Sequence, residues 1–94
     1  MALYLISYDV SSKNHDYQSL WDRLAQLKAV RILYSEWLLP RSNTGIALDL
    51  ANDLSKHIEA GDSLLVQEVG QDAAWVKLKI SDDAMSKLLS ACRF

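Results

Sequence analysis

The first carboxylate of this 94-residue chain, Asp9, follows an apolar run of strand-forming residues. Ala2-Leu3-Tyr4-Leu5-Ile6-Ser7-Tyr8 is short, apolar and rich in strand formers, which predicts a buried central strand. Its last residue would hold Asp9 rigidly at the edge of the core, a position suited to a metal ligand or a catalytic acid. The competing reading is an aspartate that bonds the backbone two residues on and starts the polar loop Ser11-Ser12-Lys13-Asn14-His15. His15 reads as a solvated loop residue. His57 falls near the end of a helical segment, where an imidazole can serve exposed carbonyls. Cys92 lies on an apolar helical stripe and reads as core filler with no base beside it. There is no Gly-x-Ser-x-Gly elbow and no phosphate-binding glycine pattern, since the three glycines are isolated.

The elements that would position Asp9 can be read from periodicity. Tyr17, Leu20, Trp21, Leu24 and Leu27 recur at helical spacing, predicting a helix from Asp16 to Lys28 with Asp16 as its cap. Val30 to Leu39 is strand-like throughout and long for one strand, so a break at Ser35-Glu36 is expected, with Pro40 ending the segment. Ser42, Asn43 or Thr44 is expected to cap a second helix with the stripe Ile46, Ala47, Leu50, Ala51, Leu54 and Ile58. Gly61 suits the left-handed position past its end. Ser63 to Val69 is a further strand. Ala74 to Ile80 alternates, with Trp75 on the face opposite Val76, Leu78 and Ile80, and predicts one more strand. Ser81 caps a short final helix with Asp82 and Asp83 in its first turn and Arg93 in its last. This order predicts one α+β domain over residues 1–94. Its sheet is antiparallel with ferredoxin-like βαββαβ order, two helices lie on one face, and a C-terminal strand and short helix follow.

Composition narrows the partners. Half of the residues are hydrophobic, which excludes a disordered chain. The formal net charge is −2, with ten Lys and Arg spread along the chain and no basic cluster in sequence. A single cysteine fits a reduced, cytoplasmic compartment. The apolar start is too short for a membrane span, so no membrane is expected.

Three segments in order resemble the small ferredoxin-like proteins that include the CRISPR-associated Cas-two family and the VapD-type toxins. Tyr8-Asp9-Val10 is similar to their first-strand motif. Val30-Arg31-Ile32-Leu33-Tyr34-Ser35-Glu36-Trp37 resembles their second and third strands. His57-Ile58-Glu59-Ala60-Gly61-Asp62-Ser63-Leu64-Leu65-Val66 resembles the stretch that opens their fourth strand with an aspartate. The likeness spans roughly residues 1–70. The chain departs from the pattern at Ser11-Ser12-Lys13, where many relatives carry an arginine. It departs again at Leu33, where a glutamine is common, and at Lys28-Ala29, which lacks a glycine.

The resemblance implies a homodimer in which Asp9 of each copy lies near the two-fold axis and shares Mg2+ or Mn2+ for cleavage of RNA or DNA phosphodiesters. It further implies that Ser7 and Ser35 place water or phosphate and that Arg31 and Arg41 contact the nucleic-acid backbone. Trp37 and Trp75 are candidates for a dimer seam or for packing. The second functional class is a non-catalytic dimeric module that binds a partner protein or regulates a complex, suggested by Trp75, the two-faced final strand and the weak basic signal.

Overall fold

The computed structural model describes residues 2–10, 17–70 and 72–91. The elements are β1 (Ala2–Asp9), α1 (Gln18–Gln26), β2 (Val30–Leu33), β3 (Glu36–Arg41), α2 (Ala47–Ser55), β4 (Ser63–Val69) and α3 (Asp82–Ala91). The four strands form one antiparallel sheet in the order β2-β3-β1-β4. The N-terminal run is therefore an inner strand, flanked by β3 and β4, as its unbroken apolar character requires.

Alternation along β1 sorts its side chains onto two faces. Tyr4, Ile6 and Tyr8 point to the face covered by α1 and α2 and pack with Leu20, Leu24, Leu50 and Leu54. Both helices thus lie on one face. Leu3 and Leu5 point to the opposite face, where Leu38 and Ile32 meet Met85 of α3 and the segment carrying Trp75, Leu78 and Ile80.

Local signals differ from the sequence in several places. Residues 74–80 do not form the expected strand. Trp75, Leu78 and Ile80 instead lie against the second sheet face, and Lys77 adopts φ 55°. Packed there, these side chains cover Leu3 and Leu38 and remove apolar surface from water, which favours this path. Trp75 is therefore on the same side as Leu78, contrary to its place in the alternation.

Pro40 lies within β3 rather than after it. Pairing with β2 ends at Val30↔Leu38, so Pro40 sits where β3 has no neighbour on that side and its missing N–H costs no ladder bond. The turn between β2 and β3 falls on Tyr34-Ser35, one residue earlier than expected, and Glu36 opens β3.

Helix α2 has no side-chain cap from the polar run before it. Its start is held from the sheet. The hydroxyl of fully buried Tyr4 accepts the Ile46 N–H at 3.2 Å and lies 2.9 Å from the Asn43 carbonyl and 3.0 Å from Glu68 Oε1, two acceptors for its one proton. Glu68 Oε1 also accepts the Gly45 N–H at 3.0 Å, and Gly45 takes the left-handed φ of 72°. The helix ends at Ser55, well short of Gly61.

Helix α1 closes with Lys28 at φ 69°, its N–H donating to the Ala25 carbonyl while Ala29 N–H reaches Leu24. That is the bonding pattern of a Schellman end with lysine where glycine is usual. Ser81 does cap α3, its Oγ accepting the Ala84 N–H at 3.1 Å. The expected cap Asp16, the loop at 11–15, Cys92 and Arg93 lie outside the described residues.

Candidate functional site

Asp9 is exposed and ends β1, opposite Ser63 of β4. With Ser7, Tyr8, Ser63, Leu64 and Leu65 it lines a shallow depression of about 190 Å3. The period-two rule puts Ser7 and Asp9 on the same face as Leu3 and Leu5. The C-terminal segment covers the Leu3 end of that face. At the Asp9 end Leu65 is 54 % and Leu33 40 % exposed. The carboxylate therefore stands at the open half of an otherwise covered sheet face.

Ser7 pairs with Glu36 of β3. Asp9 is then the diagonal neighbour of Glu36, a separation of about 7–8 Å in an antiparallel pair. Sequence reasoning passed over Glu36 because it read as a turn residue. The two-residue turn at Tyr34-Ser35 was the signal that could have found it, since it fixes which residue opens β3 and so which face it takes. Glu36 lines the cavity beside Leu5 and Leu38 and not the depression at Asp9, whose Asp9, Ser7 and Ser63 side chains carry oxygen donors of the kind that suits Mg2+ or Mn2+. No group of three or more His, Cys, Asp or Glu is gathered among the described residues.

The turn Tyr34-Ser35 lies at the same end of the sheet. Ser35 accepts the Tyr8 N–H on its carbonyl at 3.1 Å, which fastens the turn to the strand next to Asp9. The Ser35 backbone is thus held beside Tyr8, the residue between Ser7 and Asp9. Arg31, paired with Trp37, lies behind the turn. Its Nε donates to the Tyr34 carbonyl at 3.0 Å, Nη2 donates to the same oxygen, and the guanidinium sits 5.2 Å from the Tyr34 ring centroid. The rings of Trp21 and Trp37 lie 5.4 and 5.6 Å from it.

Arg41 is elsewhere. It pairs with Ala2 at the far end of β1, about 23 Å from Asp9 at strand rise, and donates to the Leu27 carbonyl at 2.6 Å. Within one chain Arg41 cannot serve a substrate held at Asp9 except at several nucleotides' distance.

The tryptophans divide. Trp37 is buried in the α1/α2 face, and its indole N–H donates to the Tyr8 hydroxyl at 3.1 Å. Trp21 donates to the same hydroxyl at 3.1 Å. Packing, one of the two alternatives open for Trp37, is the role it takes in the monomer. Trp75 is half-buried, and its N–H donates to Asp82 Oδ1 at 3.1 Å. It also lines an apolar cavity of about 590 Å3 between the sheet and α3, together with Leu5, Leu38 and Met85.

The remaining titratable groups hold the scaffold. Asp62 Oδ2 accepts the Tyr17 hydroxyl at 2.7 Å and the Glu59 N–H at 2.8 Å, so this aspartate organises the entry to β4. The His57 Nδ1 bonds Ser19 Oγ, linking the end of α2 to α1. Arg23 of α1 and Asp53 of α2 form a fork whose shortest contact is 2.7 Å. The hydrogen bonds from Arg23 hold the Asp53 carboxyl below its usual range, against a smaller opposing effect of burial. Burial pushes the Tyr4 hydroxyl up, and its bond to Glu68 adds to that.

No family model matches this chain, and no solved structure matches it. Among the described residues no helix is long and apolar enough to cross a membrane.

Proposed function

We infer that this chain is a metal-dependent phosphodiesterase or nucleic-acid-handling homodimer with Asp9 at its working centre. One observation carries the reading: Asp9 stands exposed at the end of an inner strand, on the uncovered half of a sheet face. A second copy laid against that half would shield Leu33 and Leu65 and set one Asp9 against the other. The strand order, with β1 between β3 and β4 and both α1 and α2 on one face, supports the ferredoxin-like arrangement that the motifs resemble. Asp9 would hold the cation, and Ser7 and Ser35 would place water or a phosphate oxygen. A bound Mg2+ or Mn2+ supplies charge stabilisation at the phosphoryl oxygens and a more acidic water. The chain's own part is to fix Asp9 on a rigid strand and to anchor the neighbouring turn through the Tyr8–Ser35 bond.

The test is cleavage of end-labelled RNA and DNA oligonucleotides with Mg2+, Mn2+ or chelator. Cleavage that needs a cation and disappears in Asp9→Ala is expected. Wild-type protein that leaves every oligonucleotide intact, or an Asp9→Ala variant as active as wild type, removes the catalytic reading.

The exposed Leu33, Leu65 and Val76 favour a second reading, a non-catalytic dimer that binds a protein partner. In that case the dimer persists, Asp9→Ala changes nothing, and added cation leaves the melting temperature where it was.

A further inference from the structure

We propose that Tyr34, backed by Arg31, is a stacking platform for an unpaired nucleobase, which makes the preferred ligand an unpaired strand rather than a duplex. The proposal deepens the nucleic-acid reading and rests on it. Two-residue turns are ordinarily filled by small polar residues, because nothing there buries a large ring. Here the turn carries a tyrosine that is 74 % exposed. The ring is not loose. Arg31 grips the Tyr34 backbone carbonyl through two donors and places its guanidinium against the ring, while Trp21 and Trp37 hold the guanidinium from behind. A ring held on one side and open to water over most of its surface presents a flat, pre-ordered aromatic face. Every base has a complementary face once it is unstacked from its neighbours.

The charge nearby suits the phosphates that flank such a base. Arg31 bonds a neutral backbone carbonyl there. The Lys79 N–H donates to the Ile32 carbonyl at 2.9 Å, which brings a second cationic residue, distant in sequence, to the outer edge of β2. Both Lys79 and the preceding Lys77 are exposed. The fold thus gathers at one edge a basic set that the sequence disperses. The platform lies at the same end of the sheet as Asp9 but on the helix-covered side, since Arg31 pairs with Trp37 of that face while Asp9 belongs to the other.

The experiment is fluorescence anisotropy with labelled eight-nucleotide single-stranded RNA and DNA and the matching duplexes, in chelator and low salt, so that no cleavage is required. Wild type should bind the unpaired strands at least about five-fold more tightly than the duplexes. Tyr34→Ala should lose at least about five-fold of the single-strand affinity and Tyr34→Phe little, in line with the size of base–aromatic stacking. Lys79→Gln should flatten the salt dependence, by at most about 0.7 in the log–log slope per lost phosphate contact. If wild type binds and Tyr34→Ala binds equally well, or duplex binds as tightly as single strand, the platform is refuted while the nucleic-acid reading stands. If wild type binds no oligonucleotide, both are refuted.

Discussion

Tyr8 donates its backbone N–H to the Ser35 carbonyl at 3.1 Å and so locks the β2–β3 turn to the end of β1. The bond joins the two segments that carry the candidate chemistry. Tyr8 adds a second anchor through its hydroxyl, which accepts both Trp21 and Trp37.

Replacing Tyr8 by Phe leaves the ring in the core and removes the shared acceptor. The Trp37 indole N–H, buried with it, is then unsatisfied. The expected loss of stability is about 1–3 kcal/mol, read as a lower urea midpoint at unchanged slope. An unchanged midpoint would show that another acceptor serves these indoles.

Lys28 occupies a left-handed position at φ 69° that costs a side-chain-bearing residue and costs glycine nothing. Lys28→Gly should therefore stabilise the protein by about 0.5–1 kcal/mol despite the extra freedom it gives the unfolded chain. A variant less stable than wild type would mean that the lysine side chain contributes more than its backbone strain costs.

The Arg23–Asp53 fork makes stability depend on acid. The Asp53 carboxyl is held below its ordinary value, so its contribution is fully present above the unfolded value of 3.8 and is lost as pH falls through the lower folded value. The gap in melting temperature between wild type and Asp53→Asn should be constant from neutrality to about pH 5 and close below pH 3.8. A gap that persists into strong acid would assign the effect to packing between α1 and α2.

Tyr4 gives the opposite sign. Burial raises its hydroxyl above the ordinary 10.0, so the stability it contributes is present below that value and is lost as pH rises through the folded one. Tyr4→Phe should be less stable at neutral pH, because Ile46 N–H loses its acceptor, and should lose less stability than wild type on going above pH 10.

Much of the scaffold was legible in the sequence because it follows periodicity. Leu20 and Leu24, Leu50 and Leu54, and the Tyr4–Ile6–Tyr8 alternation each predict the face they bury. Asp9 was legible as a strand-end carboxylate for the same reason. The segment 74–80 misled because alternation records only that residues are apolar at intervals. It does not say whether they extend a sheet or lie across one. The caps before α2 misled because a buried tyrosine from a distant strand, Tyr4, took the role assigned to Ser42, Asn43 or Thr44. Glu36 and the cluster of Arg31, Tyr34 and Lys79 depend on strand register and on a contact between distant segments, which local pattern cannot carry.

The central claim is that Asp9 holds a divalent cation at the junction of two copies, and a Mn2+ titration followed by electron paramagnetic resonance tests it most directly. The account predicts saturation at one ion for every two chains in wild type and no saturable binding in Asp9→Asn. Failure of wild type to take up Mn2+, or equal uptake by Asp9→Asn, would contradict it.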